Sequence, residues 1–234
     1  MFIRGAWRNA KPLEKLYRMF SVKSQLILEN LSKFAPENNA AQSKLLESLA
    51  NSRLTSIDSS VSVISYDDKW GVGVKSLSPD SLFVRDFYPD LLKAVRKNER
   101  SVLIGNPGIG KSFFQYYYLA RIMNPSLFGP LPPDCYGSTA PPKIVIRQEG
   151  TVRMTIYDIA NRQAEKVMGC PIDVLDCFDP ETSLYLMEPG ESVVEPHFMG
   201  VRIPTLTTVS PLLARYKEFC KNTCCSDSAS EDKP

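Results

Sequence analysis

The sequence predicts an α/β protein: a three-layer sandwich around a mainly parallel sheet, with a helical arm in front of it. Three observations carry this expectation. Apolar runs of strand length alternate with segments of helical period from residue 82 onward. One such run, Ser101-Val102-Leu103-Ile104, passes through a glycine-rich turn straight into an aromatic helix. No stretch of the chain repeats another.

Length and composition bound the rest. The 234 residues suffice for one large domain with an appendage. A net charge of +2 is too small for polyanion binding through bulk charge. The charge is uneven, however. Arg4, Arg8, Lys11, Lys15, Arg18 and Lys23 make the start basic, which reads as a solvated helix face, with contact to nucleic acid or an acidic membrane surface as the rival reading. Residues 227–232 are acidic and Ser-rich, the composition of a disordered tail within 223–234. The six cysteines are scattered, and a core of this size needs no staples, so reduced thiols are expected. Cys220, Cys224 and Cys225 cluster, but the single histidine, His197, and the lack of a second paired-Cys motif argue against zinc. His197 reads as structural. No apolar run approaches the about 20 residues of a membrane span, and the start lacks a secretory h-region. The sequence reads as a soluble chain, cytoplasmic or nuclear.

In chain order, Leu13, Leu16, Tyr17 and Phe20 keep helical spacing behind Pro12, and Leu26, Ile27, Leu31 and Phe34 continue it to Pro36. Leu45, Leu46 and Leu49 mark a third helical piece. Residues 51–60 are polar and loop-like, and Val61-Ser62-Val63-Ile64 has strand composition. Residues 1–81 thus read as an arm and linker, ahead of a core at 82–222. Phe83, Phe87, Leu91, Leu92 and Val95 give helical spacing around Pro89. After the strand 101–104 and the aromatic helix, residues 124–143 are rich in Pro and Gly, a long surface loop. Strands are expected at 143–146, at 183–187 and at 205–209, with Gly150 turning a hairpin into the alternating Val152, Met154 and Ile156. Ser210-Pro211 reads as the N-cap and first residue of a closing helix.

The stretch Gly105-Asn106-Pro107-Gly108-Ile109-Gly110-Lys111-Ser112 fits G-x-x-x-x-G-K-[ST], with a strand before it and a helix after it. Glycines let successive N–H groups turn inward onto an anion, and the start of the helix adds its positive end. Lys111 is expected to reach the β- and γ-phosphates of a nucleotide, and the Ser112 hydroxyl to ligate Mg²⁺. This makes the fold P-loop NTPase-like. The aromatics Phe113, Phe114, Tyr117 and Tyr118 read as core that anchors the helix, rather than as a base-stacking surface.

The metal needs an acid at the end of a neighbouring apolar strand. Glu188, closing Leu184-Tyr185-Leu186-Met187, is the first candidate; Asp176, Asp179 and Asp158 compete. Ser210 is a candidate contact to the γ-phosphate or attacking water, or else a plain N-cap. A GTPase needs an Asp-x-x-Gly after the loop and a guanine motif, and neither is present, so ATP is favoured by elimination. A small-molecule kinase needs a lid with arginines. The loop 124–143 has none, and Arg147, Arg153 and Arg162 are unmarked.

Four segments in their order, LFVRDFYPDLLKAV, SVLIGNPGIGKSFFQYYYLARI, SLYLMEPGE and TLTTVSPLLARYKEFCK, resemble the P-loop ATPase domain of Crinkler-type and retrotransposon-hot-spot proteins. The resemblance covers residues 82–221. Its specificity rests on Val209-Ser210-Pro211 and Tyr216-Lys217-Glu218-Phe219. It implies an ATPase related to the AAA and signalling groups, and an effector that is secreted and acts in a host nucleus. On this chain it gives 105–112 to phosphate and Glu188 the acidic role. Two departures matter. The family's Asp-Gly is replaced by Glu188-Pro189, and the chain stops before a further strand, an arginine finger and a nuclease module. Losing an arginine finger costs roughly 10³ to 10⁵ in rate in GTPases. The expectation is therefore a fragment or shortened paralogue that binds Mg·ATP and hydrolyses it weakly or only with a protein partner or on self-association. A non-hydrolysing interaction scaffold and a small-molecule kinase are the rival readings. A missing strand also leaves the strand 101–104 uncovered on one side, unless 61–66 or another chain covers it.

Overall fold

The computed structural model describes residues 36–56, 62–65, 81–106, 108–150, 153–168, 171–188 and 202–211. The helices expected before residue 35 and after Pro211, together with Pro107, Pro189, His197, Cys170, Cys220, Cys224 and Cys225, lie outside them.

Among the described residues the protein is a mixed α/β structure with two sheets. The large sheet comprises β1 (Glu37–Asn38), β5 (Arg100–Ile104), β6 (Ile144–Glu149), β7 (Arg153–Asp158), β8 (Gln163–Met168), β9 (Ser183–Glu188) and β10 (Thr205–Val209), in the order β1-β8-β7-β6-β9-β10-β5. The pairs β6–β9, β9–β10 and β10–β5 are parallel; β6–β7, β7–β8 and β8–β1 are antiparallel. Parallel pairing is therefore confined to one half. The hairpin expected at Gly150 forms, with φ +72° at the glycine.

The small sheet is antiparallel, β2 (Arg53–Ser56), β3 (Ser62–Ser65) and β4 (Ser81–Val84), in that order. It corrects two expectations. The polar stretch after Asn51 contains a strand, because Leu54 and Thr55 pair with Ile64 and Val63. Residues 81–84 are strand too, so Phe83 is exposed and helix α2 (Tyr88–Arg96) starts only before Pro89. β3 belongs to this sheet and does not cover β5, which ends the large sheet among the described residues.

Strand side chains alternate between two buried faces. Val145, Leu184, Leu186 and Leu206 join one apolar cluster; Ile146, Tyr185 and Met187 join the other. Helix α3 (Lys111–Met123) packs in the first cluster and α5 (Pro171–Leu175) in the second. Strands buried on both faces read as continuous apolar runs, which is why β9 was visible in the sequence. The aromatics of α3 are core, as expected. Phe114, Tyr117 and Tyr118 are buried, and Tyr88 packs 5.3 Å from Phe114 and 5.2 Å from Tyr117, ring centre to ring centre.

Helix α1 (Ala40–Ala50) carries the Leu45, Leu46 and Leu49 piece. Asn39 caps it, its side chain accepting the Gln42 amide at 3.3 Å. The three leucines share the cluster of α3, and Tyr157 donates to Gln42 Oε1 at 2.8 Å. This part of residues 1–81 is docked on the sheet. After the short helix α4 (Pro125–Phe128), the loop up to residue 143 is fixed by a buried arginine from α2. Arg96 donates to Pro132 O at 2.6 Å, Tyr118 Oη at 3.2 Å and Ser138 O at 3.0 Å. Backbone carbonyls that no strand uses are satisfied in this way.

Candidate functional site

The four parallel strands point their carboxyl ends to one edge of the sheet. Ligands of open α/β sheets bind in the crevice outside such ends. Here β5 delivers the loop 105–112, β9 delivers Glu188, and β10 delivers Thr208 and Ser210.

The loop is shaped by its glycines. Gly108 and Gly110 have φ of +83° and +92°, a region that side-chain-bearing residues avoid. At Gly110 space is also limiting: an added Cβ meets the Tyr88 hydroxyl at 2.6 Å. That hydroxyl donates to Gly110 O at 2.9 Å, with Arg85 as its other partner. The first α-helical bond of α3 runs from the Phe114 amide to Gly110 O, at 2.8 Å. The amides of Lys111, Ser112 and Phe113 therefore have no intrahelical acceptor. A 13-residue helix places the positive end of its dipole there.

Lys111 folds back over the loop. Its Nζ donates to Gly105 O at 2.5 Å and to Asn106 O at 2.9 Å. The ammonium group thus lies against the loop instead of extending into solvent. Burial lowers its pKa, and the charge of Glu188 acts in the opposite direction. The Gly105 amide donates to Val209 O at 3.3 Å, which ties the loop to β10 directly beside Ser210. Gly108 and Ile109 are exposed, as is Asn106.

Ser112 donates to Glu188 Oε1 at 2.5 Å, across 76 residues of sequence. The other oxygen, Oε2, accepts from Arg147 Nη2 at 3.1 Å. Behind this pair lies a buried amide. Gln115, on α3, donates to Met187 O at 3.1 Å and Thr208 Oγ1 at 3.0 Å, and accepts from Arg147 Nε at 3.2 Å. One residue of the helix after the loop is thereby joined to β6, β9 and β10. Arg147 also stands 4.7 Å over the Tyr116 ring.

The competing acids are placed elsewhere. Asp158 pairs with Ile144, at the amino end of β6, where its carboxylate holds the Asn161 amide at 3.0 Å. Asp179 caps the turn before β9, accepting the Glu181 amide at 3.0 Å, and Asp176 is exposed after α5. All three precede strands of the parallel half or close an antiparallel one, so they face the opposite edge. The structure brings Glu188 to Ser112 and none of the other three.

Four participants escaped the sequence reading: Arg85, Tyr88, Gln115 and Thr208. Gln115 had a signal, a lone amide inside the aromatic run FFQYYYL. Nothing in the local sequence distinguishes Arg147 from Arg153 or Arg162.

The donors fit a phosphorylated ligand: amides, a helix start and an ammonium group on one loop. The hydroxyl of Ser112 and carboxylate of Glu188 are hard oxygen donors of the kind Mg²⁺ takes, usually beside phosphate oxygens and water. Among the described residues no group of three or more His, Cys, Asp or Glu side chains gathers into a metal centre of its own. Cys135 and Cys177 are free thiols, and burial raises the pKa of Cys135. No helix among the described residues is long and apolar enough to cross a membrane. Comparison with known proteins finds no matching family, no matching curated protein and no matching solved structure.

Proposed function

We propose that the chain is a Mg·ATP-binding P-loop NTPase-like domain of Crinkler-like type, with weak or partner-dependent hydrolysis. The observation that carries this reading is the Ser112–Glu188 hydrogen bond. A glycine-rich turn has no need of a serine joined to an acid on a strand two places away in the sheet; a metal–nucleotide site does. The segments behind the family resemblance support it, since those among the described residues that bear loop, acid and Ser210 meet at one edge.

In this reading, loop 105–112 and the first turn of α3 bind the phosphates through backbone amides. Lys111 exchanges its bonds to Gly105 O and Asn106 O for phosphate oxygens. Ser112 and Glu188 hold Mg²⁺, which when bound would neutralise phosphate charge. Ser210 flanks the loop next to Gly105. Binding needs only these groups. Turnover also needs a group that positions the attacking water and a cation at the transition state, roles that none of these residues is assigned, so hydrolysis is weak or depends on a partner.

The test is titration of Mg·ATP against the wild type and Lys111→Ala. Hydrogen bonds to charged groups contribute about 1.5–3 kcal/mol, so affinity is expected to fall roughly 10- to 150-fold. Equal affinity in the two proteins contradicts the reading. Phosphate release no higher than from Lys111→Ala places the protein among non-hydrolysing scaffolds, and turnover only with an added metabolite makes it a kinase.

A further inference from the structure

Among the described residues Arg147 is the most deeply placed cation at this edge, 6% exposed, on a strand whose Val145, Ile146 and Gln148 are buried beside it. A charge at that depth is held by partners. The partners of Arg147 include Glu188, Gln115 and the Tyr116 ring, all belonging to the site or to the helix behind the loop.

The result is a divided carboxylate. Oε1 of Glu188 takes the Ser112 hydroxyl and Oε2 takes the guanidinium. Donors on both oxygens leave the carboxylate one orientation. A hydroxyl that gives its proton to a carboxylate keeps its lone pairs for a cation. Mg²⁺ demands near-octahedral geometry, so its affinity depends on how well such groups are pre-set.

We propose that Arg147 is a positioning residue for the metal part of the site: it acts through Glu188, and it sets the affinity for Mg²⁺ without touching the nucleotide. The proposal rests on the Mg·ATP reading. Orientation outweighs repulsion here, because the guanidinium charge is offset by the carboxylate it holds at 3.1 Å. Loss of a group that orients a metal ligand costs about 10- to 100-fold in metal affinity.

The experiment follows binding of a fluorescent ATP analogue by the full chain while Mg²⁺ is titrated. The proteins are wild type, Arg147→Gln, Arg147→Lys, Glu188→Gln and the double variant Arg147→Gln/Glu188→Gln. Arg147→Gln is expected to raise half-saturating Mg²⁺ about tenfold. Binding measured in chelator should stay at the wild-type level. Arg147→Lys should fall between the two, since an ammonium group keeps the charge but not the planar fork. In the Glu188→Gln background the Arg147 change should add nothing. An unchanged or lowered half-saturating Mg²⁺ overturns the proposal, as does an equal shift in the Glu188→Gln background. A purely structural arginine would lower the melting temperature and the chelator-insensitive binding together. If Arg147→Gln does not fold, Arg147→Lys carries the same comparison. Wild type that binds no nucleotide at all removes the Mg·ATP reading and this proposal together, whereas nucleotide binding with an Arg147-independent metal response removes the proposal alone.

Discussion

The two halves of the large sheet contrast sharply. On one side, β6, β9, β10 and β5 run parallel, and their carboxyl ends gather the glycine loop, Glu188 and Ser210. On the other, β7, β8 and β1 run antiparallel, and β7 passes to β8 through a tight turn in which Asp158 holds Asn161 through both carboxylate oxygens. Both halves contribute to the same apolar clusters. What differs is where strand ends go. Parallel pairing collects like ends on one edge, so residues far apart in sequence converge there. Antiparallel pairing sends successive ends to opposite edges, and each turn satisfies itself locally.

Of the changes that probe this contrast, Gly110→Ala should give the largest effect. The left-handed φ alone costs about 1–2 kcal/mol, and the new Cβ collides with the Tyr88 hydroxyl at 2.6 Å. Both stability and ATP affinity should fall. Adding Tyr88→Phe should recover part of the stability by removing the collision, measured by denaturant unfolding. No recovery would place the whole cost in the backbone.

Gln115→Leu should come next. It removes the amide that satisfies Met187 O, Thr208 Oγ1 and Arg147 Nε inside the protein. Loss of a buried hydrogen-bonding group costs about 1–3 kcal/mol, and Thr208 Oγ1 still donates to Met187 O at 3.4 Å, so unfolding should shift by about that much. Stability equal to wild type would show that the network is not coupling α3 to the strand ends.

Alkaline pH should report on the buried tyrosines of the first apolar cluster and of the sheet. Burial raises the pKa of Tyr88, Tyr116, Tyr117, Tyr118, Tyr157 and Tyr185 above the ordinary 10.0. The folded state keeps these phenols neutral while the unfolded chain ionises near 10.0. Their contribution is whole below that value and is lost as pH rises through the shifted ones. Phenolate absorbance should therefore lag the ordinary curve and then rise together with unfolding. A simple titration at the ordinary value, with the fold intact, would contradict their burial.

The smallest effect belongs to the antiparallel half. Asp158→Ala breaks a turn contact and should cost no more than about 1 kcal/mol, with Mg·ATP affinity unchanged. A loss of affinity comparable to that of Glu188→Gln would erase the distinction between the two edges.

What the sequence disclosed follows the same division. The loop, β5, α3, β9 and β10 were legible because their signals are local: a glycine pattern, apolar runs and an aromatic helix. β8 was not. In Gln163–Met168 only Ala164 and Val167 face inward, and pairing with β7 decides its state. The 82–97 segment misled because Phe83 and Phe87 fit a helical period yet are exposed, one on β4 and one at the cap of α2. At the site, local chemistry pointed to Lys111 and Ser112. The joining of Ser112 to Glu188, and of Gln115 to Arg147, spans too much chain for any local pattern to show.

The most direct measurement is amide chemical-shift mapping of the protein with and without Mg·ATP. The amides of Gly108, Gly110, Lys111 and Ser112 are expected to move together at saturation, while those of Asn161 and Arg162 stay in place. Saturable binding that moves the hairpin amides and leaves the loop unperturbed would contradict this expectation.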